Sequence, residues 1–255
     1  MTQYSERPRF DIGRVIERTF GVVGHNIVPF LVFAVLLNGL PALGLQLVQN
    51  AFASGELVWS PAYLIYALVG AVIWIMVAAI LQGALLRGAL DDLNGGRASM
   101  GGMLQAGVRN AFKLFLIGVL ILIAAAVGFL LVIIPCFIVL VLFVAAAPAA
   151  VEEGAGVFGS LERSIKLTEN HRWAVFGLGV IFVVLAMIVS GVFGAVLVGA
   201  SMGSGVDVKL TTAIVTPIIG VIEIIIGTAA YAALYHELRA VKEGAASRSV
   251  AGVFD

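Results

Sequence analysis

Six apolar runs, the fourth of them short for a bilayer crossing, dominate this chain and read as membrane spans. They cover about Ile27–Val48, Ala62–Leu86, Ala111–Ile133, Cys136–Val151, Ala174–Ala200 and Leu210–Tyr235. A spanning helix needs about 20 mostly apolar residues. The third and fourth runs form one stretch broken at Ile134-Pro135. Proline removes a helix donor and biases its predecessor away from helix. The joined stretch is too long for one span and predicts a tight hairpin, its fourth span the shortest. Hydrophobic residues make up 61% of the 255 and charged residues 12%. Soluble domains run at about 45–50% apolar and 25% charged. A globular core of this size cannot hide the excess, so lipid must solvate it. The predicted fold class is all-α: a polytopic six-helix transmembrane bundle.

The segments between runs alternate in charge. Asn50–Pro61 carries only Glu56, and Ser201–Lys209 carries Asp207 and Lys209. Fourteen of the fifteen Lys and Arg residues fall on the other side. Basic loops stay cytoplasmic. The chain is therefore expected in a bacterial inner membrane, multi-pass, with both termini cytoplasmic. Trp59, Tyr63 and Tyr66 suit the outer interface; Trp173, Tyr231 and Tyr235 suit the inner one. Residues 1–26 read as a cytoplasmic amphipathic segment, 27–235 as the membrane domain and 236–255 as a cytoplasmic tail. The single cysteine, Cys136, permits no disulfide framework. Zero net charge argues against a nucleic-acid partner.

Three basic-side stretches look alike: Ile16–Phe20, Leu104–Arg109 and Leu161–Lys166. Each precedes an odd-numbered span. Apolar residues recur at helical spacing in the first (Ile12, Val15, Ile16, Phe20) and the last (Val157, Leu161, Ile165). That pattern describes a short helix lying in the interface with its bases towards headgroups. The bundle thus reads as three repeats of an interfacial helix plus a transmembrane hairpin.

Several motifs match without their context. Gly154–Gly159 fits G-x-G-x-x-G, but a membrane span precedes it and the apolar fifth span follows. Gly199–Gly203 fits G-x-S-x-G, but Ser201 is expected outside while His25, His171 and His236 are inside. No P-loop or metal-ligand spacing occurs, and no cofactor is expected. The acid pairs Asp91-Asp92 and Glu152-Glu153 are expected to mark span ends in water, ahead of holding a metal or a cationic headgroup.

The most distinctive stretch is VAAAPAAVEEGAGVFGSLERSIKLTENHRW, Val144 to Trp173. It resembles the membrane domain found with some bacterial glycerophosphodiester phosphodiesterases. Pro148, Glu152, Gly156, Leu161, Arg163, Ser164, Leu167, Thr168 and Trp173 fit that pattern. Ile134-Pro135 fits its Ile-Pro-Gly hairpin, with Cys136 where the glycine stands. The segments FDIGRVIERTF and LYHELRAVKEG are similar to the family's opening and closing segments. The resemblance spans essentially the whole chain. In fused members the chemistry lies in a separate soluble barrel. These 255 residues contain no such barrel, so the resemblance implies a membrane domain without that activity.

Two sets of polar residues are the candidate sites. The first is intramembrane: Glu223, with Asn38 and Ser190 at similar depth and Gln82 deeper towards the cytoplasm. An ionised acid at mid-membrane costs about 2.5–3.5 kcal/mol on insertion scales. Thr216, Gly220, Gly227 and Ala230 share the helical face of Glu223. Small residues let a neighbouring helix approach, so this face is expected to point into the bundle. The second set is Arg163, Ser164, Lys166 and Arg172, suited to a lipid headgroup. The leading expectation is a non-enzymatic protein that organises or senses lipids, or scaffolds a membrane-protein partner. A conduit using Glu223 is the alternative, and an enzyme acting on lipid headgroups the third.

Overall fold

The computed structural model describes residues 10–52, 61–131, 133–204 and 208–251. It is helical throughout, with no strand among the described residues. Ten α-helices follow in order among the described residues: α1 Ile12–His25, α2 Ile27–Ala34, α3 Leu40–Phe52, α4 Pro61–Leu93, α5 Met100–Leu131, α6 Ile133–Phe143, α7 Ala146–Glu152, α8 Val157–Thr168, α9 Arg172–Ser204 and α10 Val208–Ala251. Among the described residues six stretches are long and apolar enough to cross a membrane. The protein is therefore a multi-pass membrane protein, and the all-α six-span bundle is the fold. Trp59, Asp207, Arg7 and Arg9 lie outside the described residues.

Prolines set the irregularities. The first span is α2 and α3 joined through a π-helical turn, Val35–Gly39. Pro41 follows it, and its ring would collide with the carbonyl four residues back in a regular helix. A widened turn relieves that clash. The fourth span is likewise two helices, α6 and α7. Pro148 would meet the carbonyl of Val144, and the helix breaks there, at Val144–Ala145. Ser164 of α8 fills the break: its hydroxyl donates to the Leu142 carbonyl (2.7 Å) and accepts from the Ala145 N–H (3.1 Å).

The hairpin between the third and fourth spans turns earlier than expected. Ile134 and Pro135 both lie in the first turn of α6. A helix start leaves its first N–H groups unbonded, so Pro135 loses nothing there. Gly128 lets the two arms close: a Cβ on it would sit 2.8 Å from the Cys136 backbone nitrogen. Gly107 does the same where α5 crosses α4, since a Cβ there would lie 2.5 Å from the Ile80 carbonyl oxygen.

Two of the three expected interfacial helices are separate elements, α1 and α8. The third, Leu104–Arg109, is not: it is continuous with the third span inside α5. No helix breaker stands between Arg109 and the apolar run, so the helix propagates through. Helix α10 runs unbroken past Tyr235 to Ala251, into the segment read as the C-terminal tail.

Helices α4, α5, α6, α9 and α10 pack as consecutive neighbours, and α10 also packs on α4. The α2–α3 span and α1 pack against α10 and α4. The core runs along this seam, through Phe30, Leu81, Leu85, Leu90, Ile117, Tyr235 and Leu238. Most of α9 stays exposed to the surroundings, from Val180 through Val196.

Candidate functional site

Glu223 of α10 and Ser190 of α9 meet in the membrane span. The Ser190 hydroxyl donates to Glu223 Oε1 at 2.7 Å. Asn38, in the π-helical turn, sits against the same helix one turn earlier. A Cβ on Gly220 would lie 3.3 Å from Asn38 Nδ2. Three of the four intramembrane candidates therefore converge on one turn of α10. Among the described residues no hydrogen bond joins Gln82 to them.

The face expected to point into the bundle does so only in part: Ala230 is buried and Gly220 lies against Asn38, but Glu223 itself is exposed. The buried stripe of α10 is Ala213, Pro217, Val221, Ile225 and Ala229, while Thr216 and Glu223 are exposed. Position 223 lies about 200° round the helix from position 221 at 100° per residue, so the two faces are opposed. The bulky β-branched side chains Val221 and Ile225 won the packed face. Small residues permit close approach but bury little apolar surface.

A second polar constellation gathers where both terminal helices lie. Glu237 is 0% exposed. Arg14 Nη1 donates to its Oε1 and Arg18 Nη1 to its Oε2, each at 2.9 Å. The arginines are four residues apart, so α1 offers both from one face. That helix starts on an N-cap, Asp11, whose carboxylate accepts from the Gly13 and Arg14 N–H groups. Arg18 also donates to His236 Nδ1 at 3.0 Å.

Beside it, carboxylates and bases alternate across four elements. Arg163 Nε donates to Glu153 Oε1 at 2.7 Å and its Nη2 donates to Glu243. Tyr235 donates its hydroxyl to Glu153 at 2.7 Å. Arg239 Nε donates to Glu243 Oε2 at 2.8 Å. Asn94, at the end of α4, donates to Glu152 Oε1 at 3.0 Å. Partial burial pulls the Arg163 guanidinium down, but its bonds to Glu153 and Glu243 outweigh that and hold it above its ordinary value. It stays charged.

The four headgroup candidates are dispersed. Ser164 is buried in the α6–α7 break, and Arg163 is held by two carboxylates. Lys166 pairs with Glu162 along α8, which lowers the Glu162 carboxyl through their hydrogen bond. Arg172 opens α9 and is exposed. The acid pairs do more than mark span ends. Glu152 and Glu153 each hold a polar partner, and Asp92 faces His25 Nδ1 at 3.3 Å.

Residues 10–235 match the family described as Domain of unknown function (DUF7847). The chain belongs to that family. No curated protein and no solved structure matches it. The family's description carries no activity, so function rests on the geometry. Its matched span takes in the α1 arginines and closes at Tyr235. Glu237, their buried partner, lies two residues beyond.

The reading of residues alone passed over Glu237. One signal was available: Arg239 and Glu243, four residues apart, continue the helix past the apolar run. What faced it was not readable, since the partners lie at the other end of the chain.

Proposed function

We propose that this is a non-enzymatic protein of the bacterial inner membrane that organises or senses lipids from the cytoplasmic side. One observation carries the reading. The end of the bundle that holds both terminal helices displays apolar side chains around its rim. Phe158 of α8 is 77% exposed, Trp173 at the start of α9 is 86% exposed, and Val108 on the first turns of α5 is 59% exposed. Phe20 of α1 and Leu104 of α5 join them. Bases Arg109 and Arg172 stand among these residues and are exposed. Aromatic and apolar groups interleaved with arginine suit the headgroup boundary. Each such base adds about 1 kcal/mol of attraction to an anionic leaflet. The excess of Lys and Arg on this side supports a cytoplasmic placement. The likeness to the membrane domain of bacterial phosphodiesterases supports a role without chemistry of its own.

Nanodiscs of mixed phosphatidylglycerol and phosphatidylethanolamine test the proposal. Native mass spectra should show phosphatidylglycerol enriched around the wild-type protein. The Arg109→Gln/Arg172→Gln variant should lose most of that enrichment while melting normally. A lipid shell equal to the bulk composition would sink the idea.

A second reading, a conduit, is favoured by one observation: Ser190, Asn38 and Glu223 gather on one turn of α10 at mid-span. Proton-coupled solute flux in proteoliposomes is its measurement, and flux that survives Glu223→Gln argues against it.

A further inference from the structure

A cleft of about 280 Å³ opens between the end of α4, the end of α7 and residues 235–243 of α10. Its polar lining includes Asn94, Glu152, His236, Arg239 and Glu243, and Ala240 lines it with them. Ligand pockets run at about 300–1,000 Å³, so this one suits a molecule of headgroup size.

The polar groups are sorted by charge. Glu152 Oε1 accepts one amide hydrogen bond, from Asn94. Arg239 Nη1 stands 3.9 Å from the same oxygen, beyond hydrogen-bond reach. The two are at ion-pair distance without a hydrogen bond between them. His236 Nδ1 takes its hydrogen bond from Arg18. Arginine cannot accept, so Nδ1 is the acceptor and the imidazole proton sits on Nε2. The cleft therefore offers the Glu152 carboxylate on the α7 side. On the α10 side it offers N–H donors beside Glu243, whose carboxylate Arg239 and Arg163 already hold.

That arrangement selects by exclusion. An anion alone would face Glu152 and Glu243. A cation alone would face Arg239 and leave its donors unmatched. Among the described residues no group of three or more His, Cys, Asp and Glu is gathered to hold a metal ion. We infer that the cleft binds a small zwitterion with a primary ammonium at one end and a phosphate or carboxylate at the other. The ammonium pairs with Glu152. The anionic end takes hydrogen bonds from Arg239 and His236. Phosphoethanolamine is the shared chemistry of two sources, a phosphatidylethanolamine headgroup and a free aminoalkyl phosphate. Only the lipid source rests on the lipid-sensing proposal, and that proposal is tested separately at Arg109 and Arg172.

The test uses the full chain. O-phosphoethanolamine is titrated into detergent-solubilised protein by calorimetry. In parallel, nanodiscs containing phosphatidylethanolamine are compared with nanodiscs of phosphatidylglycerol by native mass spectrometry. Ala240→Leu fills the cleft without changing charge, and a leucine suits an exposed helix position. Glu152→Gln removes the ammonium partner. Both variants are expected to weaken binding at least tenfold with little change in melting temperature. Binding of the soluble probe assigns the free source; retention of phosphatidylethanolamine alone assigns the lipid. If neither probe binds, or if Ala240→Leu binds both as wild type does, the inference is overturned.

Discussion

Arg18 Nη1 and Glu237 Oε2 lie 2.9 Å apart although 219 residues separate them in sequence. Arg14 holds the other oxygen of the same carboxylate. The pair fixes α1 onto α10. Removing one side of a buried ion pair costs about 3–5 kcal/mol, because the other charge is left buried. The arginine side chains are 44% and 31% exposed, so water reaches them but not the acid. We expect Arg14→Gln/Arg18→Gln to lower stability by about 3 kcal/mol, read as a fall in melting temperature and faster proteolysis of α1. Adding Glu237→Gln to the double variant should recover much of the loss. Equal melting of the double and triple variants would show that the buried charge is not the cause.

The spans were legible because lipid demands length and apolarity, and those are local properties. Helix ends were not. Apolarity marks where lipid stops, whereas a helix stops where its backbone or side chains make it stop. After Tyr235 the residues Arg239 and Glu243 are spaced i, i+4 and pair along the helix, so α10 continues. The break at Val144–Ala145 had its cause in Pro148, visible in the sequence. Its repair by Ser164, 22 residues from Leu142, did not. Glu223 and Ser190 were placed together by depth alone. Which way Glu223 faces depended on competition between a stripe of small residues and a stripe of Val and Ile. Spacing identifies both stripes and ranks neither.

Ser164 gives a direct measure of that repair. Its buried hydroxyl serves a carbonyl and an N–H that the broken helix cannot pair internally. Ser164→Ala leaves the Ala145 N–H buried without its partner, at a cost of about 1–3 kcal/mol. Unfolding in mixed micelles should show this loss. Arg163→Gln, on the adjacent position, breaks ion pairs at exposed edges and should cost less.

The α4–α5 crossing depends on Gly107. Its missing Cβ is replaced by the Ile80 carbonyl and Ala84 of the facing helix. Gly107→Ala must push the helices apart and is expected to cost about 1–3 kcal/mol. Gly118 lies on the same helix, and a Cβ added there would meet nothing within 4 Å. Gly118→Ala should therefore be neutral or slightly stabilising through helix propensity. If both variants melt alike, close approach at Gly107 is not what holds the crossing.

Glu223 separates glue from carrier. The Ser190 hydroxyl donates to it, and a carboxamide oxygen at the same place accepts as well. Glu223→Gln is thus expected to fold and melt as wild type does. Glu223→Leu removes the acceptor, and interhelical hydrogen bonds of this kind contribute about 0.6–2 kcal/mol. Helix α9 has little other packing along this stretch, so the loss should appear as weaker α9–α10 association in cross-linking between Cys-substituted positions. The same two variants test the conduit. A proton carrier fails with glutamine as fully as with leucine, because the carboxamide does not titrate, whereas a structural contact tolerates glutamine and not leucine. Flux and melting temperature measured on both variants therefore assign the acid to one role.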